Sequence, residues 1–198
     1  MTLYEEIHSK VFHLLRTQLP SFLYYHSYKH TAYVLKQAEI ISVKEGIGED
    51  DLFLVRIASL FHDSGFIKQY KDHEEAGCDI AREVLQTYSF DPMNVNEICG
   101  MIMATKIPQM PATLNERIVA DADLEYLGTD LFYKVSQFLF HEMHYLDPEL
   151  DLMAYNELQV KFMQAHTYHT EYCKQHREAK KEENLRELIE SMKTPPIT

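Results

Sequence analysis

Apolar residues recur along this chain at intervals of three and four, almost from end to end. Leu3, Ile7, Val11, Leu14 and Leu15 fall on one face of a first helix. The same spacing predicts a second helix from Tyr28 to Lys44, stopped by the glycines of EGIGEDD. A third runs from Asp51 to His62 and is ended by Gly65; a fourth runs from His73 to Tyr88. Asp91-Pro92 opens a fifth, with Asp as cap and Pro at the first helical position. That helix is expected to fray before Pro108 and Pro111. Thr113-Leu-Asn-Glu116 is a capping box that opens a sixth. A seventh covers Asp130 to Tyr145, and Asp147-Pro148 predicts the start of an eighth that reaches Thr170. EYCKQHREAKKEENLRELIESM reads as a last, partly exposed helix, followed by a loose TPPIT. No segment alternates with a period of two, and there is no repeat or low-complexity linker. The pattern predicts an all-α fold in one domain spanning residues 1–198.

Composition narrows the function. The chain has 198 residues, 45% of them apolar, enough for one sizeable core. Its formal charge of −12 argues against general nucleic-acid binding, which relies on basic patches to meet phosphates. A small phosphorylated substrate stays open, because a bound metal reverses the local field. Cys78, Cys99 and Cys173 are odd in number and form no C-x-x-C, which fits a reducing compartment. MTLYEEIHSK has no signal-peptide pattern, and no run of 18 apolar residues occurs. A cytoplasmic protein that neither enters nor crosses a membrane is expected.

The sixth decade holds the chemical puzzle. LFHDSG places a histidine beside an aspartate at the end of the apolar run LFLVRIASLF. A charged Asp is seldom buried unless it is paired or bound to a metal. His30, His62, Asp63 and Asp123 all stand at predicted helix ends or on helix faces, with His26 one turn before His30. Neighbouring helical residues point about 100° apart, so His62 and Asp63 meet one ion only where the helix relaxes at its end. Two imidazoles and two carboxylates form a mixed N/O set, suited to a divalent first-row metal. Spacing alone leaves a structural role for the pair open. For His8, His13, His141, His144 and His176 the structural role is the favoured reading.

The order of the motifs resembles the HD-domain superfamily of metal-dependent phosphohydrolases. YHSYKH resembles the entry motif, ASLFHDSGF the HD helix, YKDHEEAG the acidic stretch after it, and IVADADLEYLG the last ligand motif. HTYHTEYCKQHREAKKEENLREL resembles the C-terminal helices of small stand-alone members. The resemblance implies an HD-type helical bundle and four metal ligands: His30, His62, Asp63 and Asp123. It implies one divalent metal ion, Mn, Fe, Ni, Zn or Mg, that activates water against a small phosphate ester, in the first instance a nucleotide. Asp63 then serves as ligand and as the group oriented to the attacking water. His73 and Glu74 are the candidate proton donors to the leaving oxygen, and His26 and Lys106 the candidate substrate contacts. Asp121 is expected to be a surface or outer-sphere acid.

Two departures refine the expectation. The (p)ppGpp hydrolases of the superfamily carry an acidic pair where this chain has Phe66-Ile67, so that activity is disfavoured. Binuclear members use a further histidine where this chain reads MIMATKIPQM, which favours one metal, although His26 and His73 leave a second, weak one open. A non-catalytic module that binds metal and nucleotide is the alternative to an enzyme. Tyr28, Phe66 and Tyr126 are possible contacts to a base or sugar, and self-association is open, with no heptad seam to name an interface.

Overall fold

The protein is described here from a computed structural model, which covers residues 1–193. The expected loose TPPIT lies outside the described residues. The first half forms α1 (Leu3–Gln18), α2 (Tyr28–Glu45), α3 (Glu49–Phe61), α4 (His73–Gln86) and α5 (Pro92–Met103). The second half adds α6 (Leu114–Leu124), α7 (Phe132–Leu146), α8 (Leu152–Ala165), α9 (Glu171–His176) and α10 (Glu178–Lys193). Short 3-10 turns, Ser64–Ile67 and Glu125–Gly128, follow α3 and α6. No strand forms among the described residues, so the fold is all-α.

The predicted caps act as expected at α5 and α6, and α1 shows a further one. Thr2 and Thr113 make reciprocal capping boxes with Glu5 and Glu116, and Asp91 accepts from the Met93 N–H ahead of α5. Gly46 ends α2 in the left-handed conformation that glycine adopts without a Cβ penalty. The main core lies between α1 and α6, where Ile7, Val34, Ile41, Val55, Leu60 and Ile118 are buried together. α2 packs on α3 and α6, so the start of α2, the end of α3 and the end of α6 converge. A second apolar cluster, including Tyr126, Phe132, Met163 and Leu188, ties α7, α8 and α10 to that end of the bundle.

The C-terminal third departs from expectation. The eighth helix starts at Leu152, capped by Asp151, whose side chain accepts from the Ala154 N–H. Asp147 instead starts a turn, its carbonyl accepting from the Leu150 N–H. The helix stops at Ala165, where His166 turns extended (φ −73°, ψ 135°), and a buried acid holds the chain that follows. Asp121 accepts from the N–H of His169 and Thr170 and from the Thr170 hydroxyl, at 2.9, 2.8 and 2.6 Å. The expected last helix is two, broken at Arg177 (φ −121°), whose guanidinium binds the buried Glu125 carboxylate.

Candidate active site

His30 sits in the first turn of α2 and is buried, 7% exposed as a residue. His62 is the C-cap of α3, still near helical dihedrals, while Asp63 has relaxed to φ −103°, ψ 4°. That relaxation turns two adjacent side chains toward one point. Asp63 Oδ2 stands 3.2 Å from His62 Nε2 and 3.5 Å from His30 Nε2. Asp123, in the last turn of α6, puts Oδ1 2.9 Å from His30 Nε2 and 3.7 Å from His62 Nε2. One ligand atom from each of His30, His62 and Asp123 lies within 4.8 Å of the others. Three helices therefore bring His30, His62 and Asp123 together, with Asp63 Oδ2 within 3.5 Å of both imidazoles.

The turn that carries His62 and Asp63 depends on Gly65. A Cβ there would lie 1.8 Å from the His73 carbonyl oxygen and 2.6 Å from the Gly77 nitrogen. Only glycine lets the turn seat against the first turns of α4. The same close approach brings His73 and Glu74 to the cluster: His73 Nε2 is 3.5 Å from Asp63 Oδ1 and 3.6 Å from Glu74 Oε1.

The donor chemistry fits a divalent cation. His62 is fully buried, and its Nδ1 lies 2.8 Å from the Ser59 carbonyl. That carbonyl only accepts, so the bond places a hydrogen on Nδ1 and leaves Nε2 facing the cluster. His62 Nε2 and Asp63 Oδ2 are buried with no hydrogen-bond partner. Such orphaned atoms are costly to bury unless an ion meets them. Burial pushes the His62 imidazole down, but Asp63 and Asp123 outweigh it and bring it up to about 9. Burial likewise raises Asp63, yet the imidazoles of His62, His73 and His26 hold it well below the usual carboxylate range. The cluster calls for positive charge, and its mixed N/O set matches what first-row divalent metals take.

A cleft of about 390 Å³ opens beside the cluster, with His26, Asp63, His73, Glu74 and Asp123 on its floor. His26 precedes α2 rather than sharing its face, since that helix begins only at Tyr28. A buried glutamate holds it in place. Glu142, from α7, takes His26 Nδ1 at 2.5 Å and accepts the backbone N–H groups of Tyr25 and His26 at 3.1 Å. Burial lowers the His26 pKa, and the Glu142 hydrogen bond and Asp63 reverse this to a net rise. Phe66 stacks between the rings of His26 and His73, at centroid distances of 4.3 and 3.8 Å. It is a spacer between two imidazoles and is buried.

The remaining expected residues divide. Glu74 is buried and faces the cleft. Lys106 does not line it: the ammonium is 2.9 Å from Asp72 and 2.6 Å from Glu75, on the outer side of α4. Asp121 is neither a surface nor an outer-sphere acid, because it is fully buried and binds the 169–170 backbone. His8, His13, His141, His144 and His176 lie outside the cleft lining. Glu142 and the spacer role of Phe66 were not foreseen. The signal for Glu142 was a single acid inside the apolar run FYKVSQFLFHEMHYL, with no partner within reach along the chain.

An all-α bundle with an H…HD…D cluster where three of its helices meet defines the class. The HD-domain family profile matches residues 27–125, half of the chain, and the chain belongs to that family. Two solved structures share the fold. One is a predicted HD superfamily hydrolase from an uncultured Thermotogales bacterium, 23% identical, with a TM-score of 0.55, over 83% of this chain and 96% of that one. The other is the Lin1889 protein from Listeria innocua, 19% identical, with a TM-score of 0.64, over 98% of this chain and 99% of that one. No curated protein sequence matches significantly.

Proposed function

We propose that the chain is a metal-dependent phosphohydrolase that cleaves a small phosphate ester, with a nucleotide as the expected physiological class. The observation that carries this reading is the pair of orphaned buried atoms, His62 Nε2 and Asp63 Oδ2, converging with His30 and Asp123. His30, His62, Asp63 and Asp123 would hold one divalent ion. When bound, such an ion supplies Lewis acidity toward a phosphate oxygen and lowers the pKa of water.

The chain's own residues do the rest. Asp63 has one oxygen toward the cluster and the other toward His73, so it fixes the imidazole against the reacting centre. His26, held by Glu142 through Nδ1, presents its other nitrogen to the cleft as a donor to a phosphate oxygen. His73 or Glu74 delivers a proton to the leaving oxygen as the P–O bond breaks. No helix among the described residues is long and apolar enough to cross a membrane. The three cysteines are buried and unpaired, which supports a reducing compartment such as the cytoplasm.

The test is hydrolysis of a panel of phosphate esters by the Mn²⁺-loaded protein beside Asp63→Ala. Metal-stimulated phosphate release that disappears in a folded variant supports the reading. Equal activity in the two proteins rejects it.

A further inference from the structure

The walls of the cleft speak to what the phosphate is attached to. Above the polar floor, α7 contributes Leu139 and Met143, and α8 contributes Leu158 and Phe162. Ile107 closes the rim. Leu158 is 44% exposed and Ile107 53%, so apolar surface faces an open cavity rather than a packed core. Apolar walls with a few polar groups at one end are the usual form of a site for an amphipathic small molecule.

The charge on the floor points the same way. Three carboxylates, Asp63, Glu74 and Asp123, face the cleft, and a divalent ion balances two of them. Among the described residues, no lysine or arginine lines it. Thr105 and Ile107 do, but the ammonium of Lys106 between them is engaged by Asp72 and Glu75. Beside the ligand cluster, His26 and His73 are the nitrogen groups in the lining that can carry positive charge; the amide of Gln159 is neutral. One phosphate finds the ion and two imidazoles; a second or third phosphate finds no cationic side chain, only leucine, methionine and phenylalanine beside the neutral tyrosines and Gln159. Unpaired charge against apolar surface is strongly unfavourable, and the net charge of −12 adds repulsion at long range.

We propose that the ligand of this cleft carries a single phosphate group on an apolar aryl or alkyl body, and that polyphosphate chains are excluded. The proposal rests on the phosphohydrolase reading above and replaces its nucleotide expectation by a less polar ester; among nucleotides it favours monophosphates over triphosphates. The discrimination lies in α7 and α8, not in the metal ligands.

The test is calorimetric titration of the Mn²⁺-loaded protein with methylphosphonate, hexylphosphonate and a β,γ-methylene nucleoside triphosphate. The phosphonates have no P–O–C bond to cleave and the β,γ-methylene group blocks release of the γ-phosphate; ³¹P NMR after the titration checks that the triphosphate is intact, so affinity is read without turnover. The expected result is that hexylphosphonate binds about tenfold or more tighter than the other two, from burial of its chain. In a Met143→Gln/Leu158→Gln double variant, hexylphosphonate should fall to the level of methylphosphonate, with methylphosphonate affinity and metal content unchanged. Both side chains are partly exposed, so the variant is expected to fold. Methylphosphonate binding with no gain from the hexyl chain, or tighter binding of the triphosphate, overturns this inference and leaves the phosphohydrolase reading standing. Failure of all three to bind the metal-loaded protein overturns both.

Discussion

At the scale of single residues, function here depends on side chains whose burial makes sense only together. His62 and Asp63 were recognisable because a charged pair after an apolar run is costly unless something meets it. Glu142 was not, because its partner His26 lies 116 residues earlier. Its role predicts a specific loss. Glu142→Gln keeps the size of the side chain but removes the charge facing His26, and should lower kcat about 10- to 100-fold. Metal content, read by elemental mass spectrometry, should be unchanged. A variant with full kcat would deny His26 its place in the reaction.

His166 gives a second prediction at this scale. Burial lowers its pKa, and the nearby Lys181 ammonium lowers it further, to about 3. The unfolded chain takes up a proton below about 6.5, and the folded chain does not. The neutral imidazole therefore costs nothing above about pH 6.5, and stability falls as the pH drops from there toward 3. His166→Gln should show a shallower decline of Tm between pH 6.5 and 4 than the parent, measured by calorimetry. Parallel curves would mean that His166 is not held neutral.

At the scale of elements, the sequence was most informative where a helix carried its own signals. The capping box at Thr113, the Asp91-Pro92 start and the glycine after α2 are local, and the structure uses them. Asp147-Pro148 looked equivalent to Asp91-Pro92, but Asp151 offered a competing cap. The later start places Tyr155, Gln159 and Met163 on the inward face. The chain after α8 and the break at Arg177 are held by Asp121 and Glu125, acids from a remote stretch of chain, so no local pattern announces them. Gly65 is the element-scale determinant of the site. Gly65→Ala forces the turn off α4 and should cost several kcal/mol, as is typical when close-packed backbone must move (~1–3 kcal/mol or more). It should also reduce metal binding. Gly48→Ala, with no atom within 4 Å of the new Cβ, is the control and should cost under about 1 kcal/mol. Equal denaturation midpoints for the two variants would remove Gly65 from the account.

At the scale of the whole molecule, the bundle has two unequal parts. α1 to α6 form a continuous core that fixes His30, His62, Asp63 and Asp123, the proposed ligands, at the meeting point of α2, α3 and α6. α7 and α8 bury few of their residues and form the open walls of the cleft. The motif order H…HD…D made the first part readable from sequence, because ligand chemistry restricts residue types. The second part was not, because an apolar residue facing a cavity looks in sequence like one facing a core.

The central claim is that His30, His62, Asp63 and Asp123 hold one divalent metal. Elemental mass spectrometry of the purified protein, beside Asp63→Ala, tests it most directly. The account predicts about one divalent ion per chain in the parent, by the coordination argument above, and far less in a folded variant. No metal in either protein, even after incubation with Mn²⁺ or Fe²⁺, would contradict it.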